Sequence, residues 1–268
     1  VEFQHSVEVQ DIMTSSESPT IITSRGEFKA KIVIIAEGGR GKLAKKLGYA
    51  AKNTILAAME YEHYTAEGNG KLYIDFDYND SGYAWNFPKS DGLSLGIGGF
   101  VKGQEKGKVG LPHKLLNYTK QFSVNELDKK NLHGHPILLY SGRQKLVHNR
   151  VMLIGEIAGC VDPLTAEGIR PAIKSGFLAA KVINYALTKN DFKSLVNYDL
   201  AFHKEIGRDF YYARIMSYFL NKNLKRILPM LTSVSAVNGF MSVFSGKSTY
   251  HEKINWRRIG KLIWKSIF

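Results

Sequence analysis

The stretch GEIAGCVDPLTAEGIRPAIKSG, Gly155 to Gly176, holds four glycines, two prolines and three acids, and it follows the apolar run Val151-Met152-Leu153-Ile154. A strand that ends at Gly155-Glu156 and gives way to a helix brings backbone N–H groups and a helix N-terminus to one spot. The helix dipole there favours negative charge. Glu156, at the strand's carboxyl end, is placed to accept hydrogen bonds from a sugar-like polyol. Gly168 lacks a Cβ and would let a ligand lie against the backbone. Pro171 suits the first helical turn, where its missing N–H costs nothing. Ala172, Gly176, Ala179 and Ala180 form a small-residue strip for close packing on a sheet or a cofactor. A glycine-rich strand–helix connection that binds nothing has the same composition, so residue types alone leave both readings open.

A second candidate lies upstream in GYAWNFPKSDGLSLGIGGF. Tyr83, Trp85 and Phe87 stand at i, i+2 and i+4, so on a strand they share one face. They make either an apolar wall for a ligand or an ordinary core stripe. Gly96, Gly98 and Gly99 on the next strand would leave room beside them. A third segment, VIIAEGGRGKLAKKLG, ends an apolar run in Glu37-Gly38. The eight histidines have no metal-binding spacing, His133-Gly134-His135 reads as a loop, and no metal site is expected. The lone Cys160 excludes an internal disulfide and a cysteine-based zinc site, and it fits a reducing compartment. No nucleophile elbow, phosphate-binding loop or nucleic-acid motif is present.

The elements that must carry these residues alternate in type. With 44% hydrophobic and 23% charged residues the chain is an ordinary globular one, not a disordered one. Its opening, VEFQHSVEVQ, already alternates like a strand in progress, which implies a start inside a domain. Strands are expected there, at Thr20 to Thr23, and at Lys31 to Ile35, the last buried on both faces. A short helix follows from Lys42 to Leu47. From Thr54 to Val101 the alternation and the turns NDSG and PKSDG predict an antiparallel sheet. A helix from Leu111 to Asn125, the buried strand Val151 to Ile154, a long helix to about Leu187 and further helices complete the reading.

Positive charge gathers at the end of the chain. From Phe210 to Phe268 ten Lys/Arg face the single acid Glu252, which places +9 of the net +13 in the last fifth of the protein. In HEKINWRRIGKLIWKSIF the residues Ile254, Trp256, Ile259, Leu262, Ile263 and Phe268 recur near helical spacing, apart from most of the basic ones. That pattern suits an amphipathic helix on an anionic membrane surface. A helical cap with a solvated basic face is the plainer reading, and nucleic acid is not expected.

The first stretch resembles the second FAD-binding motif of flavoproteins with the hydroxylase-type fold, and Pro163 to Ile169 resembles the geranylgeranyl reductase family. Where aromatic hydroxylases often carry His, Gly159 stands. The Tyr83-x-Trp85-x-Phe87-Pro88 pattern is similar to a signature of the same family, and Glu37-Gly38 resembles its middle motif, with Glu in place of Asp. The resemblance implies a cofactor site made of Gly155, Glu156, Gly159, Pro163, Leu164, Thr165, Ala166, Glu167, Gly168, Ile169, Glu37 and Gly38. Glu156 would meet the ribityl chain, and Pro163 to Ile169 would pass the isoalloxazine ring of FAD. Tyr83, Trp85, Phe87 and Pro88 would form the wall for an isoprenoid lipid, with Tyr83 or water as proton donor.

The resemblance further implies an α/β (α+β) fold, a partial FAD-binding hydroxylase-like fold with an inserted antiparallel substrate-binding sheet. Residues 1–50 would be the remainder of the FAD-binding domain and 51–140 the substrate-binding sheet. Residues 141–187 would return to the FAD-binding domain, and 188–268 would form a basic C-terminal helical region. The strand–Gly-x-Gly-x-x-Gly–helix that opens the family is not in this sequence, so the chain is expected to be a fragment lacking the ADP-binding motif. The implied activity is saturation of C=C bonds in a polyprenyl chain, by a cytoplasmic protein peripherally associated with membranes. The alternatives are an FAD-dependent monooxygenase of the same superfamily and a non-catalytic lipid- or membrane-binding remnant. The sequence specifies neither the electron donor nor which polyprenyl chain is reduced.

Overall fold

Two short apolar runs far apart in sequence, Val33–Ile35 (β4) and Val151–Leu153 (β11), pair in parallel with Val33 opposite Val151 and Ile35 opposite Leu153. The computed structural model that shows this describes residues 1–14, 17–49, 54–65, 70–76, 78, 82–100, 110–231 and 233–253, and for 40, 54 and 221–231 the backbone alone. Of the tail expected to form an amphipathic helix, 251–268, residues 254–268 lie outside the described residues. The chain divides into two compact units: residues 1–52 with 140–268, and residues 53–139.

In the first unit, β1 (Val9–Met13), β2 (Thr20–Thr23) and β3 (Gly26–Lys29) form an antiparallel sheet in that order. β3 was not expected: all four of its residues are exposed, so it has no apolar alternation to read. A second sheet has the order β10 (Val147–His148), β11, β4. Every residue of β11 is buried, as expected, but β4 departs from the reading, because Ile34 is 45% exposed between buried Val33 and Ile35. Among the described residues β4 is an edge strand of that sheet, and its Ile34 face is only partly covered.

Helix α1 spans Lys42–Lys46, and the long helix α3 spans Ile169–Lys189. The face α3 buries is Pro171, Ser175, Ala179 and Ala186, at intervals of four and seven residues, as an α-helical stripe requires. Ala180, assigned from the sequence to the small-residue strip, is exposed; Ser175 takes the inward place. Beyond it come α4 (Asn197–Phe202), a π-helical turn at His203–Gly207, α5 (Arg208–Leu231), α6 (Val234–Phe244) and the single turn α7 (Tyr250–Lys253).

The second unit is an antiparallel sheet of order β6 (Tyr73–Asp75), β7 (Gly82–Lys89), β8 (Gly92–Phe100), β5 (Thr54–Tyr64), β9 (Leu132–Leu139). One face buries Ala84, Leu93, Leu95, Ile97 and Tyr61 against Leu115 and Tyr118 of α2 (Leu111–Thr119). α2 is shorter than expected: it tightens into a 3-10 turn at Lys120–Phe122 and stops at Ser123, whose φ of +63° is left-handed. β9 corrects a second reading, since His133 and His135 lie in a strand, opposite Glu60 and Ala58, not in a loop. Pro136 is tolerated there because β9 pairs on one side only.

Candidate functional site

Strands β4 and β11 end side by side, with the Ile154 amide donating to the Ile35 carbonyl at 3.0 Å. Each then turns through a left-handed glycine, Gly38 at φ +67° and Gly155 at φ +70°, a conformation that other residues adopt at a cost. The Glu156 carboxylate lies beside Gly38: a Cβ on that glycine would stand 3.6 Å from Glu156 Oε2. The two Gly/Glu turns are thus brought together at the carboxyl ends of adjacent parallel strands, where open α/β sheets bind their ligands. Glu37 has a local task, because its two carboxylate oxygens accept the Leu43 and Ala44 amides at 3.0 and 2.7 Å and cap α1.

The turn after β11 is tied to the helix that follows. The Gly155 amide donates to Ser175 Oγ at 2.9 Å, and that hydroxyl donates to the Ala172 carbonyl at 2.7 Å. Gly159, at φ +79°, closes the turn with its amide on the Glu156 carbonyl at 2.8 Å. Cys160 is fully buried, and burial, outweighing its hydrogen bonds to Ser175 and Gly155, pushes its thiol pKa up to about 12.

Residues 162–168 are organised by Asp162, which is 3% exposed. Its Oδ1 accepts the Leu164 and Thr165 amides at 2.7 and 3.1 Å, and its Oδ2 accepts the Tyr250 hydroxyl at 2.7 Å. Its own amide donates to the Glu167 carbonyl, and its carbonyl accepts the Ala166 amide, both at 2.9 Å. Burial raises the Asp162 pKa against the lowering effect of these donors. Pro163 is buried behind the turn, and Glu167 Oε1 accepts the Arg170 amide at 2.8 Å at the start of α3. Ile169 points outward, 79% exposed.

Packing constrains one residue of this loop, and backbone conformation constrains another. A Cβ on Gly168 would face Val161 Cγ2 at 3.1 Å, so packing inside the loop already disfavours a side chain at this position. Ala166 holds φ +58° without being glycine. A left-handed residue costs about 1–2 kcal/mol, and glycine returns about 0.4–1 kcal/mol of that through the unfolded chain. Ala166→Gly should therefore raise stability by about 0.5–1 kcal/mol, read as a higher urea midpoint; an unchanged or lower midpoint would show that the loop relaxes around the alanine.

In the second unit Tyr83, Trp85 and Phe87 do share one face of β7, opposite to the face that packs on α2. Their rings run in series, with centroids 6.0 and 6.1 Å apart, and Phe76 meets Tyr83 at 6.2 Å. Pro88 closes the strand opposite Leu93. The Trp85 indole lies across Gly96, at whose Cβ position its six-membered ring already stands, and reaches over Gly98. Its N–H donates to Ser94 Oγ at 3.2 Å, and Ser94 Oγ donates to Glu60 Oε1 at 2.5 Å. The aromatic row is therefore half-buried and held from beneath, not dissolved in the core.

The sequence reading missed Asp162, Ser175, Tyr250, Ser94 and Glu60 as organisers of the two regions. For Asp162 a local signal existed, since Asp-Pro-Leu-Thr is a stretch in which an aspartate accepts amides two and three residues on. The others act across the fold and leave no local mark.

Several solved structures share this fold. A geranylgeranyl bacteriochlorophyll reductase-like protein of Thermoplasma acidophilum superposes with a TM-score of 0.71 at 21% identity, over 88% of this chain and 66% of the other. A flavin-dependent halogenase gives 0.57 at 20% identity, over 79% and 43%. The fold is thus the α/β fold of the FAD-dependent hydroxylases and halogenases. No family model matches the chain. Among curated relatives, digeranylgeranylglycerophospholipid reductase 3 of Methanosphaera stadtmanae is 30% identical over 251 residues, 88% of this chain and 62% of the relative. The digeranylgeranylglycerophospholipid reductase of Thermoplasma acidophilum is 30% identical over 186 residues, 62% of this chain and 44% of the relative. The chain is similar to the geranylgeranyl reductases over most of its own length. It spans about half the length of the curated relatives it matches.

Proposed function

We propose that this chain is the flavin-ring and substrate part of an FAD-dependent reductase that saturates C=C bonds of a polyprenyl lipid. The observation that carries the reading is the meeting of Glu37-Gly38 and Gly155-Glu156 at the carboxyl ends of β4 and β11. Two left-handed glycines without side chains leave backbone open to a ligand there, and the Glu156 carboxylate beside them suits the hydroxyls of a ribityl chain. The residues fit the riboflavin half of FAD. The ADP half finds no Gly-x-Gly-x-x-Gly in this sequence, and we assign it to a further part of the protein. The exposed Ile34 on edge strand β4, with Ile169, Ile173 and Phe177 on α3 at 79, 57 and 68% exposure, is apolar surface that such a part would cover.

When bound in its reduced form, the flavin would supply a hydride to one carbon of the double bond, and a proton would reach the other. The chain's share is orientation and electrostatics. The Asp162-organised loop fixes the backbone of residues 163–168, and the N-terminus of α3 favours negative charge placed at it. Tyr83, Trp85 and Phe87 offer a flat apolar face to an isoprenoid chain, and Tyr83 brings a hydroxyl to that face as a proton source. The anionic membrane surface remains a proposal from the basic sequence of the tail. Among the described residues no helix is long and apolar enough to cross a membrane.

The test joins flavin content to turnover. Visible flavin absorbance should be carried by the chain together with the part that holds the ADP half, and Trp85→Ala should lower turnover of a long prenyl substrate about tenfold, equivalent to about 1.4 kcal/mol, with flavin content unchanged. Equal losses of both would return Trp85 to a core role. Absence of bound flavin would favour the lipid-binding remnant.

A further inference from the structure

We infer that Tyr250, near the described end of the chain, is a positioning residue for the loop that passes the flavin, and that the C-terminal helices are the backing of that loop. The Tyr250 hydroxyl donates to Asp162 Oδ2 at 2.7 Å, and the two side chains are 4 and 3% exposed. The same carboxylate orders the loop through its other oxygen, on the Leu164 and Thr165 amides. Tyr250 thus brings a hydrogen bond from outside the loop to the group that sets the loop's shape.

Tyr250 is itself anchored. Asp209, in the first turn of α5, accepts the His251 amide at 3.1 Å, and Glu252 with Thr249 caps the short helix α7 through bonds of 2.9 and 3.2 Å. Around the ring, Ala213 of α5 and Val243 of α6 form a buried cluster with Tyr250, and Leu164 of the loop packs into it alongside Tyr212 and Met216. The loop thus contributes one apolar residue to the helical cluster, and the helices contribute one hydroxyl to the loop. Helices α5, α6 and α7, part of the region after residue 188 that the sequence set apart as basic, are structurally part of the loop's seat. Proximity to a flavin rests on the function proposed above; the clamp itself rests only on the bonds just described.

Cys160, the one cysteine of the chain, lies two residues before Asp162 and is fully buried, so its alkylation reports opening of this loop. Under native conditions Tyr250→Phe, which keeps the ring and removes the hydroxyl, should speed iodoacetamide labelling of Cys160 about tenfold or more, the loss expected for a bond to a buried charged acceptor. Amide exchange in the middle of α3, around Ala179, should stay unchanged. The double variant with Asp162→Asn should label no faster than the faster single variant, because both remove one interaction. An unchanged labelling rate, a rise matched by α3 exchange, or additive effects would each overturn the proposal. In parallel, FAD titrated into the chain should bind several-fold more weakly to Tyr250→Phe. If the unsubstituted chain fails to bind FAD while the thiol results hold, the clamp stands and the flavin reading is what fails.

Discussion

Asp162→Ala should lower the stability of the first unit by about 3–5 kcal/mol, the cost of breaking a buried, hydrogen-bonded charged group. The substitution leaves the Leu164 and Thr165 amides and the Tyr250 hydroxyl without the acceptor they share. All of that occurs where the carboxylate is 3% exposed, so water cannot easily take its place. Asp162→Asn should cost clearly less, because the amide oxygen can still accept the two backbone donors. Urea unfolding of the three proteins measures both differences. An alanine variant within about 1 kcal/mol of the parent would mean that the loop amides find other acceptors.

Gly96→Ala should unseat Trp85 and cost about 1–3 kcal/mol in the second unit, the usual range for forcing extra volume into a packed site. The new methyl would occupy space that the Trp85 six-membered ring fills, and the ring cannot slide sideways without giving up its bond to Ser94. Gly98→Ala is the control, since its methyl would meet Leu56 Cδ2 at 3.1 Å and the Trp85 ring only at 3.6 Å. The outcome is read as increased acrylamide quenching of tryptophan fluorescence together with a lower urea midpoint for Gly96→Ala, and smaller changes for Gly98→Ala. Equal effects of the two would mean that the indole has no fixed seat on these glycines.

What the sequence made legible follows from how local each feature is. The aromatic face of β7 and the strand–turn–helix around Gly155 are set by neighbours two to four residues apart, and both stand in the structure as read. β3 escaped because an exposed strand carries no apolar rhythm. The histidines of β9 looked like a loop for a related reason: from His133 to Pro136 the strand is exposed, so its pairing with β5 leaves no trace in composition. Both-face burial was read into β4 from its apolar run, but burial belongs to what packs on a strand, and Ile34 at 45% exposure shows that one side is only partly covered. The bond between Asp162 and Tyr250 spans 88 residues, a separation at which residue types give no hint.

The placement of the second unit within the chain bears on the order of folding. Its first and last strands are hydrogen-bonded neighbours, with Thr54 opposite Leu139, so the inserted segment begins and ends at one point. It is continuous in sequence, and all its pairings are antiparallel and available without the rest of the chain. The parallel pair β4–β11, by contrast, must close a loop from Ile35 to Val151. Once the insertion has closed, the free chain in that loop is about one quarter as long, two halvings that reduce the entropic cost by about 1.2 kcal/mol. A sheet segment that closes first would thus act as an internal splint, lowering the cost of bringing β11 to β4.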